Sequence, residues 1–372
     1  MTMHPDLPFA DELGPARVIH VHQPAIGLAA TVVLDNLACG PAIGGLRMAP
    51  DVTTAECARL ARAMTLKNAA AGLPHGGGKS VLRADPRMSE ADKERLIRAF
   101  AAALRHEHGY IIGPDMGTDE TCMAWIHDEI GRATGLPRAL GGIPLDQIGA
   151  TGWGVCHATE VALTRLGRPL AGARLVVQGF GAVGRHAARF LSARGAKLVA
   201  VADSAGAIYQ PDGIELDRLL AIKAHGGSVV AYPGARIIDA EALIGVDCDV
   251  WIPAARPDAI HAGNVDRVRA ALVVQGANIP VTADAERSLH ARGVCVVPDF
   301  IANAGGVICA ALELQRATEH AALAAVQERI RANIVAVLDR ADASGNTPRQ
   351  AAEALALERV RSAMQTRRWG MY

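Results

Sequence analysis

The chain lacks net charge. Of its 372 residues, 38 are Lys or Arg and 38 are Asp or Glu, so the formal balance is zero. Nothing in that balance draws it to nucleic acid or to an anionic membrane surface. No uninterrupted apolar run approaches the roughly 18 residues of a membrane span. The opening MTMHPDLPFADELGP has no basic segment followed by an apolar one, so no secretory leader is expected. The seven cysteines (Cys39, Cys57, Cys122, Cys156, Cys248, Cys295 and Cys309) are odd in number, scattered, and include no CxxC pair. That spacing argues against a disulfide framework and a zinc site, and it points to a reducing, cytoplasmic setting. Aromatics are scarce, at 3%, which adds little about function. Internal repeats and low-complexity linkers are also missing. What remains is a chain half apolar and long enough for two domains.

The most informative stretch is Met64 to Lys79, MTLKNAAAGLPHGGGK. It carries Lys67 and Lys79, the second directly after Gly76, Gly77 and Gly78. Three glycines let a loop take positive φ angles and leave no side chain between backbone and ligand. A lysine on such a loop suits a small substrate, and buried lysines shift their pKa readily. Taken alone, GGGK is equally a glycine turn with solvated lysines.

Coarse secondary structure sets the context. RVIHVH and LAATVVLD, within residues 17–37, read as two strands around a turn. Residues 53–72 read as a helix capped by Thr53 or Thr54 with Glu56 in its first turn, and 89–107 as a helix starting at Ser89. YIIGPDMGT gives a short strand that ends in a loop at Gly113–Thr118. From about residue 150 apolar strands alternate with helices: helix 154–166, strand 175–178, helix 182–194, strand 198–203, then strands near 249–253, 271–275 and 294–297. Such alternation implies a parallel sheet covered on both faces. The tail from Glu319 is helical, broken at Ser344–Pro348.

Gly179, Phe180, Gly181, Ala182, Val183 and Gly184 fit GxGxxG. The motif follows a strand and opens a helix, and Asp203 ends the next strand, which is the full dinucleotide-binding context. Gly179 makes the tight turn, Gly181 admits the pyrophosphate and Gly184 allows close helix–strand packing. The helix N-terminus offers free N–H groups and partial positive charge to phosphates. Asp203 can accept hydrogen bonds from an adenosine ribose and would repel a 2′-phosphate. NAD is therefore expected over NADP, with Arg185 a nearby basic group able to offset Asp203.

MTLKNAAAGLPHGGGK, GPDMGT, GATGWGV, VVQGFGAVG, QGANIP and PDFIANAGG occur in that order over roughly residues 20–320. Together they resemble the Glu/Leu/Phe/Val amino-acid dehydrogenases, which reversibly deaminate an L-amino acid to a 2-oxo acid and ammonia with NAD(P). The resemblance implies roles at matching positions. Lys67 would bind the substrate α-carboxylate, and Lys79 would activate water. Asp115 would pass protons to and from the amine. Asn278 would contact the substrate carboxylate and lies among the cofactor positions. Thr151 would sit near the nicotinamide carboxamide, and Asn303 on a segment returning to the same cleft. The chemistry agrees: a carboxylate needs a fixed cation, and water attacking an iminium ion needs a base tuned toward neutrality. Lys79, desolvated near a second ammonium, would serve. Without the resemblance, Asp115 is more readily a cap or turn residue.

The side-chain pocket rests on few positions. Glutamate enzymes resemble this chain around Gly40–Arg47 but place a lysine before the glycine pair Gly44–Gly45, itself part of the substrate site. Here that position is Ile43. They also carry a serine where this chain has Ala310. A buried γ-carboxylate without a cation or donor would be costly, so Ile43 and Ala310 imply an apolar substrate of the leucine, valine or phenylalanine type. Against this, ADSAGAIYQPDG, DVWIPAARPDAI and QGANIP look more like the glutamate enzymes, in a half that mainly binds cofactor. The alternatives are a glutamate dehydrogenase and a catalytically silent sensor of NAD or amino acids. Intact Lys67, Lys79 and Asp115 argue against silence.

No metal is expected, because His20 and His22 share a strand face without a third ligand and His75 stands alone. Asp247 and Asp249 read as loop carboxylates, Trp125 and Trp153 as core or interface residues. The expected architecture is α/β with two domains and a cleft between them. Residues 1–140 plus 335–372 would form the substrate-binding and oligomerisation domain, and 145–330 a Rossmann-like NAD domain. The resemblance implies a homo-oligomer with small-molecule partners only.

Overall fold

The computed structural model describes residues 9–367. Part of the opening segment read for a leader, and the last residues of the 335–372 stretch, lie outside them. The chain divides into two compact units. One comprises Met1–Pro144, Val307–Ala322 and Glu353–Tyr372; the other comprises Leu145–Gly306 and Leu323–Ala352. A single C-terminal division near 330–335 was expected, and the chain instead alternates. Two buried groups explain this. Glu313 accepts hydrogen bonds from the backbone N–H groups of Gly135, Leu136 and Ile143 (2.7, 3.1 and 2.8 Å), which fastens 307–322 to the first unit. Arg349 pairs with Glu286 and Asp299, which fastens 323–352 to the second.

The first unit is built on β1 (Arg17–Gln23), β2 (Leu28–Asn36), β3 (Ala42–Met48), α1 (Thr54–Ala70), β4 (Gly76–Leu82), α2 (Glu90–Ala103), β5 (Tyr110–Pro114) and α3 (Glu120–Ile130). Its sheet runs β1-β2-β4-β3-β5. Strands β1, β2 and β4 are antiparallel neighbours, and β3 lies parallel to β4 and β5. Thr53 caps α1 by accepting the Glu56 N–H at 3.1 Å, and Ser89 caps α2 by accepting the Asp92 N–H at 3.2 Å. Each such cap contributes about 1 kcal/mol. One sheet face carries Val32, Leu34, Leu46, Met48, Leu82 and Tyr110 against α2 and α3. The opposite face carries Val33 and Val81 against Cys57, Ala58 and Ala61 of α1. Each large side chain buried this way stabilises by about 1.5–3 kcal/mol.

The GGGK segment is not a loop. Gly76, Gly77 and Gly78 open the buried strand β4, and none has a positive φ. Glycine is required there for clearance. A Cβ on Gly76 would overlap the Asn36 carbonyl oxygen, and one on Gly77 would overlap the Thr65 backbone of α1. Helix α1 therefore lies directly on β4.

The second unit contains α4 (Leu145–Ile148), α5 (Ala150–Arg165), β6 (Arg174–Gln178), α6 (Ala182–Ser192), β7 (Lys197–Asp203), β8 (Gly206–Tyr209), α7 (Leu216–Ala224), β9 (Arg236–Ile238), β10 (Val250–Pro253), β11 (Leu272–Val274), α8 (Ala283–Ala291), β12 (Cys295–Val297) and α9 (Asp299–Ala302). Helices α10 (Gly305–Glu313), α11 (Glu319–Ser344) and α12 (Pro348–Thr366) complete the chain. The sheet order is β12-β11-β10-β6-β7-β8-β9. The five strands from β12 to β7 are parallel, as the apolar strand pattern implied. The edge strands β8 and β9 are antiparallel additions, four and three residues long and so too short to stand out in the sequence.

All seven cysteines are free thiols. Burial pushes Cys57, Cys156, Cys248 and Cys309 up to about 12, and Cys122 and Cys295 up to about 11. Among the described residues no helix is long and apolar enough to cross a membrane.

Candidate active site

In the first unit the strand register places Ile43, Gly45 and Arg47 of β3 on one face with Gly77 and Lys79 of β4. Asp115 follows β5 at the same edge. Its position depends on Gly45, where a Cβ would lie 2.7 Å from the Asp115 Cβ and 2.8 Å from the Pro114 oxygen. Gly45 thus makes room for the carboxylate, while Gly44 clears the Gly78 carbonyl of β4. The following turn is fastened to β3: Met48 N–H donates to Met116 O at 2.9 Å, and the Thr118 hydroxyl donates to Leu46 O at 2.8 Å.

Lys79 is 4% exposed, and its Nζ donates to Asp115 Oδ2. Arg47 Nε donates to Asp115 Oδ1 at 2.9 Å, and the Met116 N–H reaches the same oxygen at 2.7 Å. Arg47 Nη1 also pairs with Glu56 at 2.6 Å. Burial alone would raise the Asp115 carboxyl. Lys79 and Arg47 outweigh it and hold the group below the ordinary carboxylate range. The ion-pair partner of Lys79 is therefore a carboxylate, Asp115. Arg47 and Glu56 were not read as site residues. The available signal was Arg47 itself, a cation inside a strand of otherwise apolar and glycine residues.

Lys67 lies half-buried in the last turn of α1. Its neighbour Asn68 donates to Gly76 O at 2.7 Å and to Ile43 O at 3.4 Å, so that turn is tied to β4 and to Ile43 of β3. Arg359 on α12 donates to the Ala69 and Ala70 carbonyls (2.8 and 2.6 Å), closing the C-terminus of α1. Ile43 and Ala310 are both buried. Thr134 donates to the Ala310 carbonyl at 3.1 Å, fixing α10 against the 134–143 loop.

In the second unit the dinucleotide turn sits where the sheet changes direction. Strand β6 has β7 on one side and β10 on the other, the crevice in which such sheets bind ligands. Gly179 has φ +95°, and a Cβ there would lie 2.7 Å from the Ala255 Cβ just beyond β10. Phe180 is buried. Gly181 begins α6 with no side-chain cap, and a Cβ on it would meet nothing within 4 Å. A Cβ on Gly184 would overlap the Gly179 carbonyl oxygen. Ala182 and Val183 form the first turn, and Gly276, after β11, approaches Val183. An uncapped helix start beside open space fits a phosphate group.

Asn278 and Asn303 meet in this unit, and the segment just after Asn303 lies against Thr151. Gly306 brings the chain against Thr151, where a Cβ would lie 3.3 Å from the hydroxyl. Asn303 Nδ2 donates to Asn278 Oδ1 at 2.9 Å. Asn303 Oδ1 is buried with no partner, an acceptor suited to an amide donor such as that of a nicotinamide. The residues present fit a nicotinamide dinucleotide.

Asp203 is held by partners within the second unit. Its oxygens accept from Lys223 Nζ (2.7 Å), Ser228 Oγ (2.8 Å), Val229 N–H (2.9 Å) and Ala205 N–H (3.0 Å), and the side chain is 9% exposed. Burial would raise its carboxyl, but Lys223 and these donors hold it low. The offsetting cation is thus Lys223, whereas Arg185 turns back to the Gly181 carbonyl at 3.4 Å.

The remaining candidates have structural partners. His20 Nδ1 contacts Thr31 Oγ1 at 3.1 Å and His75 Nδ1 contacts Pro41 O at 3.1 Å. Asp249 accepts the Arg174 N–H at 2.9 Å, and Asp247 pairs with Arg174 at 2.6 Å. Trp125 packs against the first core, and Trp153 meets His157 and Phe190 edge-on. Among the described residues no group of three or more His, Cys, Asp or Glu could hold a metal ion.

A switch-point dinucleotide turn and a buried lysine–carboxylate cluster in one α/β chain define a nicotinamide-dependent oxidoreductase. Comparison with known proteins sharpens this. The Glutamate/Leucine/Phenylalanine/Valine dehydrogenase model matches residues 141–368, and the family's dimerisation-domain model matches residues 15–132. The chain belongs to this family, whose members are oxidoreductases acting on the CH–NH2 group of amino acids. It is 43% identical over 289 residues to the glutamate dehydrogenase of Thermotoga maritima, covering 74% of this chain and 69% of that one. It is 39% identical over 362 residues to the NADP(+)-dependent glutamate dehydrogenase of Pyrobaculum calidifontis, covering 91% and 86%. The hetero-hexameric glutamate dehydrogenase of Thermus thermophilus, in a Leu-bound form, superimposes with a TM-score of 0.85 at 34% identity, covering 96% of this chain and 91% of that one.

Proposed function

We propose that the chain reversibly deaminates an apolar L-amino acid of the leucine, valine or phenylalanine type to its 2-oxo acid and ammonia. The observation that carries this reading is Ile43. It shares a face with Lys79 and offers an apolar surface where a glutamate side chain would need a cation. Lys67 holds the α-carboxylate. Lys79 takes the proton from the water that attacks the iminium carbon. Asp115, in direct contact with Lys79, carries protons to and from the amine, so a proton passes between the two groups without entering solvent. Gly44 and Gly45 give the strand the clearance this cluster needs.

Gly179 to Gly184 hold the pyrophosphate of the dinucleotide, and Thr151, Asn278 and Asn303 hold its nicotinamide end. The bound nicotinamide supplies the hydride acceptor. NAD is the expected form, with NADP admitted because Lys223 neutralises Asp203. The working state is a homo-oligomer, a reading supported by the match of residues 15–132 to a dimerisation domain.

Glutamate is the second reading, supported by the relatives named glutamate dehydrogenase. The test is NADH formation at alkaline pH with each L-amino acid, repeated with NADP. Turnover with leucine, valine or phenylalanine and little with glutamate supports the first reading. Turnover with glutamate alone overturns the pocket argument and keeps the chemistry.

A further inference from the structure

Ile279, next to Asn278, has φ +50°. A β-branched residue rarely adopts the left-handed region. Its side chain is 53% exposed, so packing of that side chain does not hold the conformation. Two hydrogen bonds do. The Ile279 N–H donates to Asp299 Oδ2 at 2.8 Å, and its carbonyl accepts the Asp258 N–H at 2.9 Å.

Asp299 is itself buried, 5% exposed. Its other oxygen accepts from Arg349 Nη2 at 2.8 Å. Arg349 Nε donates to buried Glu286 at 2.7 Å, and Gln275 bridges Arg349 and Glu286. Asp299 also accepts the Asn303 N–H on its backbone carbonyl at 2.7 Å. One residue therefore fixes both amides of the proposed nicotinamide end: Asn303 through the helix backbone, and Asn278 through its strained neighbour.

We propose that Asp299, oriented by Arg349, is a positioning residue that holds Ile279 left-handed and so aims the Asn278 carboxamide at the dinucleotide. This rests on the reading of Asn278 given above. Arg349 lies far along the chain from this loop, and no motif links them.

The test uses Asp299→Asn. Both carboxylate oxygens accept from donors, so an amide must turn its NH2 toward one of them. The expected results are faster hydrogen exchange at the Ile279 amide and a dissociation constant for NADH, read by its fluorescence, about tenfold higher. Adding Ile279→Gly should restore most of the NADH affinity, because glycine accepts the left-handed conformation without Asp299. A folded Asp299→Asn protein with unchanged Ile279 exchange, or a double variant that gains nothing, overturns the proposal. If Asp299→Asn does not fold, Arg349→Lys keeps the charge but loses the fork, and unchanged Ile279 exchange there overturns it equally. Asn278→Ala separates the two readings. Unchanged NADH affinity in that variant sinks the role of Asn278, while Ile279 exchange still reports on the loop.

Discussion

Both units depend on glycine, for different reasons. In the second unit Gly179 turns the chain at φ +95°, and Gly181 leaves open space at the start of α6. In the first unit Gly76, Gly77 and Gly78 lie in an extended strand, and their missing side chains let α1 and β2 come close. The second pattern makes a place for a ligand. The first brings α1 close to the strand that carries Lys79. Glycine is therefore needed for conformation as well as clearance at the dinucleotide turn, and for clearance alone in β4.

Five substitutions sharpen or break that contrast. Lys79→Ala should have the largest effect, lowering kcat by about 10²–10⁴ while NADH still binds the second unit. Turnover near the parent rate would remove Lys79 from the chemistry. Gly77→Ala should come next, lowering stability by about 1–3 kcal/mol as its Cβ meets the α1 backbone. Gly181→Ala meets no neighbour, so it should leave Tm nearly unchanged and weaken NADH binding. Equal Tm losses in the two variants would erase the distinction.

Arg47→Met tests the electrostatics of the first unit. The Asp115 carboxyl is held low against burial by Lys79 and Arg47. Losing one cation favours the protonated form, so the acid limb of kcat/KM should move to higher pH. The sign for stability follows from linkage. A group whose pKa is depressed by folding adds stability above its unfolded value and loses it as pH falls through the folded one. The variant should therefore lose less stability on acidification than the parent. An unmoved acid limb would show that Asp115 does not set it. The smallest effect is expected for Lys223→Met, which uncovers the Asp203 charge and should lower NADP use relative to NAD by roughly tenfold. An unchanged ratio would separate Lys223 from cofactor choice.

Much of the second unit was legible. A strand, a GxGxxG turn, a helix and an acidic residue are local signals, and the structure places them at the switch point of a parallel sheet. The antiparallel edge was not legible, because β8 and β9 are only four and three residues long. In the first unit α1, α2 and their caps were legible from Thr53, Glu56 and Ser89. Strands β3 and β4 were not, since a glycine run reads as a loop until the helix lying on it is known. Lys79 stood out in the GGGK stretch itself, its role and Asp115 came from the family resemblance, and their direct contact from the fold. Arg47, Lys223 and Arg349 were missed for one reason: each acts on a carboxylate distant in sequence.

The buried thiols have a practical consequence. With pKa values near 11 to 12 they stay protonated and unreactive at ordinary pH until the surrounding structure opens. Cys57 and Cys122 lie in the first unit, Cys156 and Cys248 in the second. Alkylation kinetics at these two pairs would therefore time the opening of each unit separately, using labels the chain already carries.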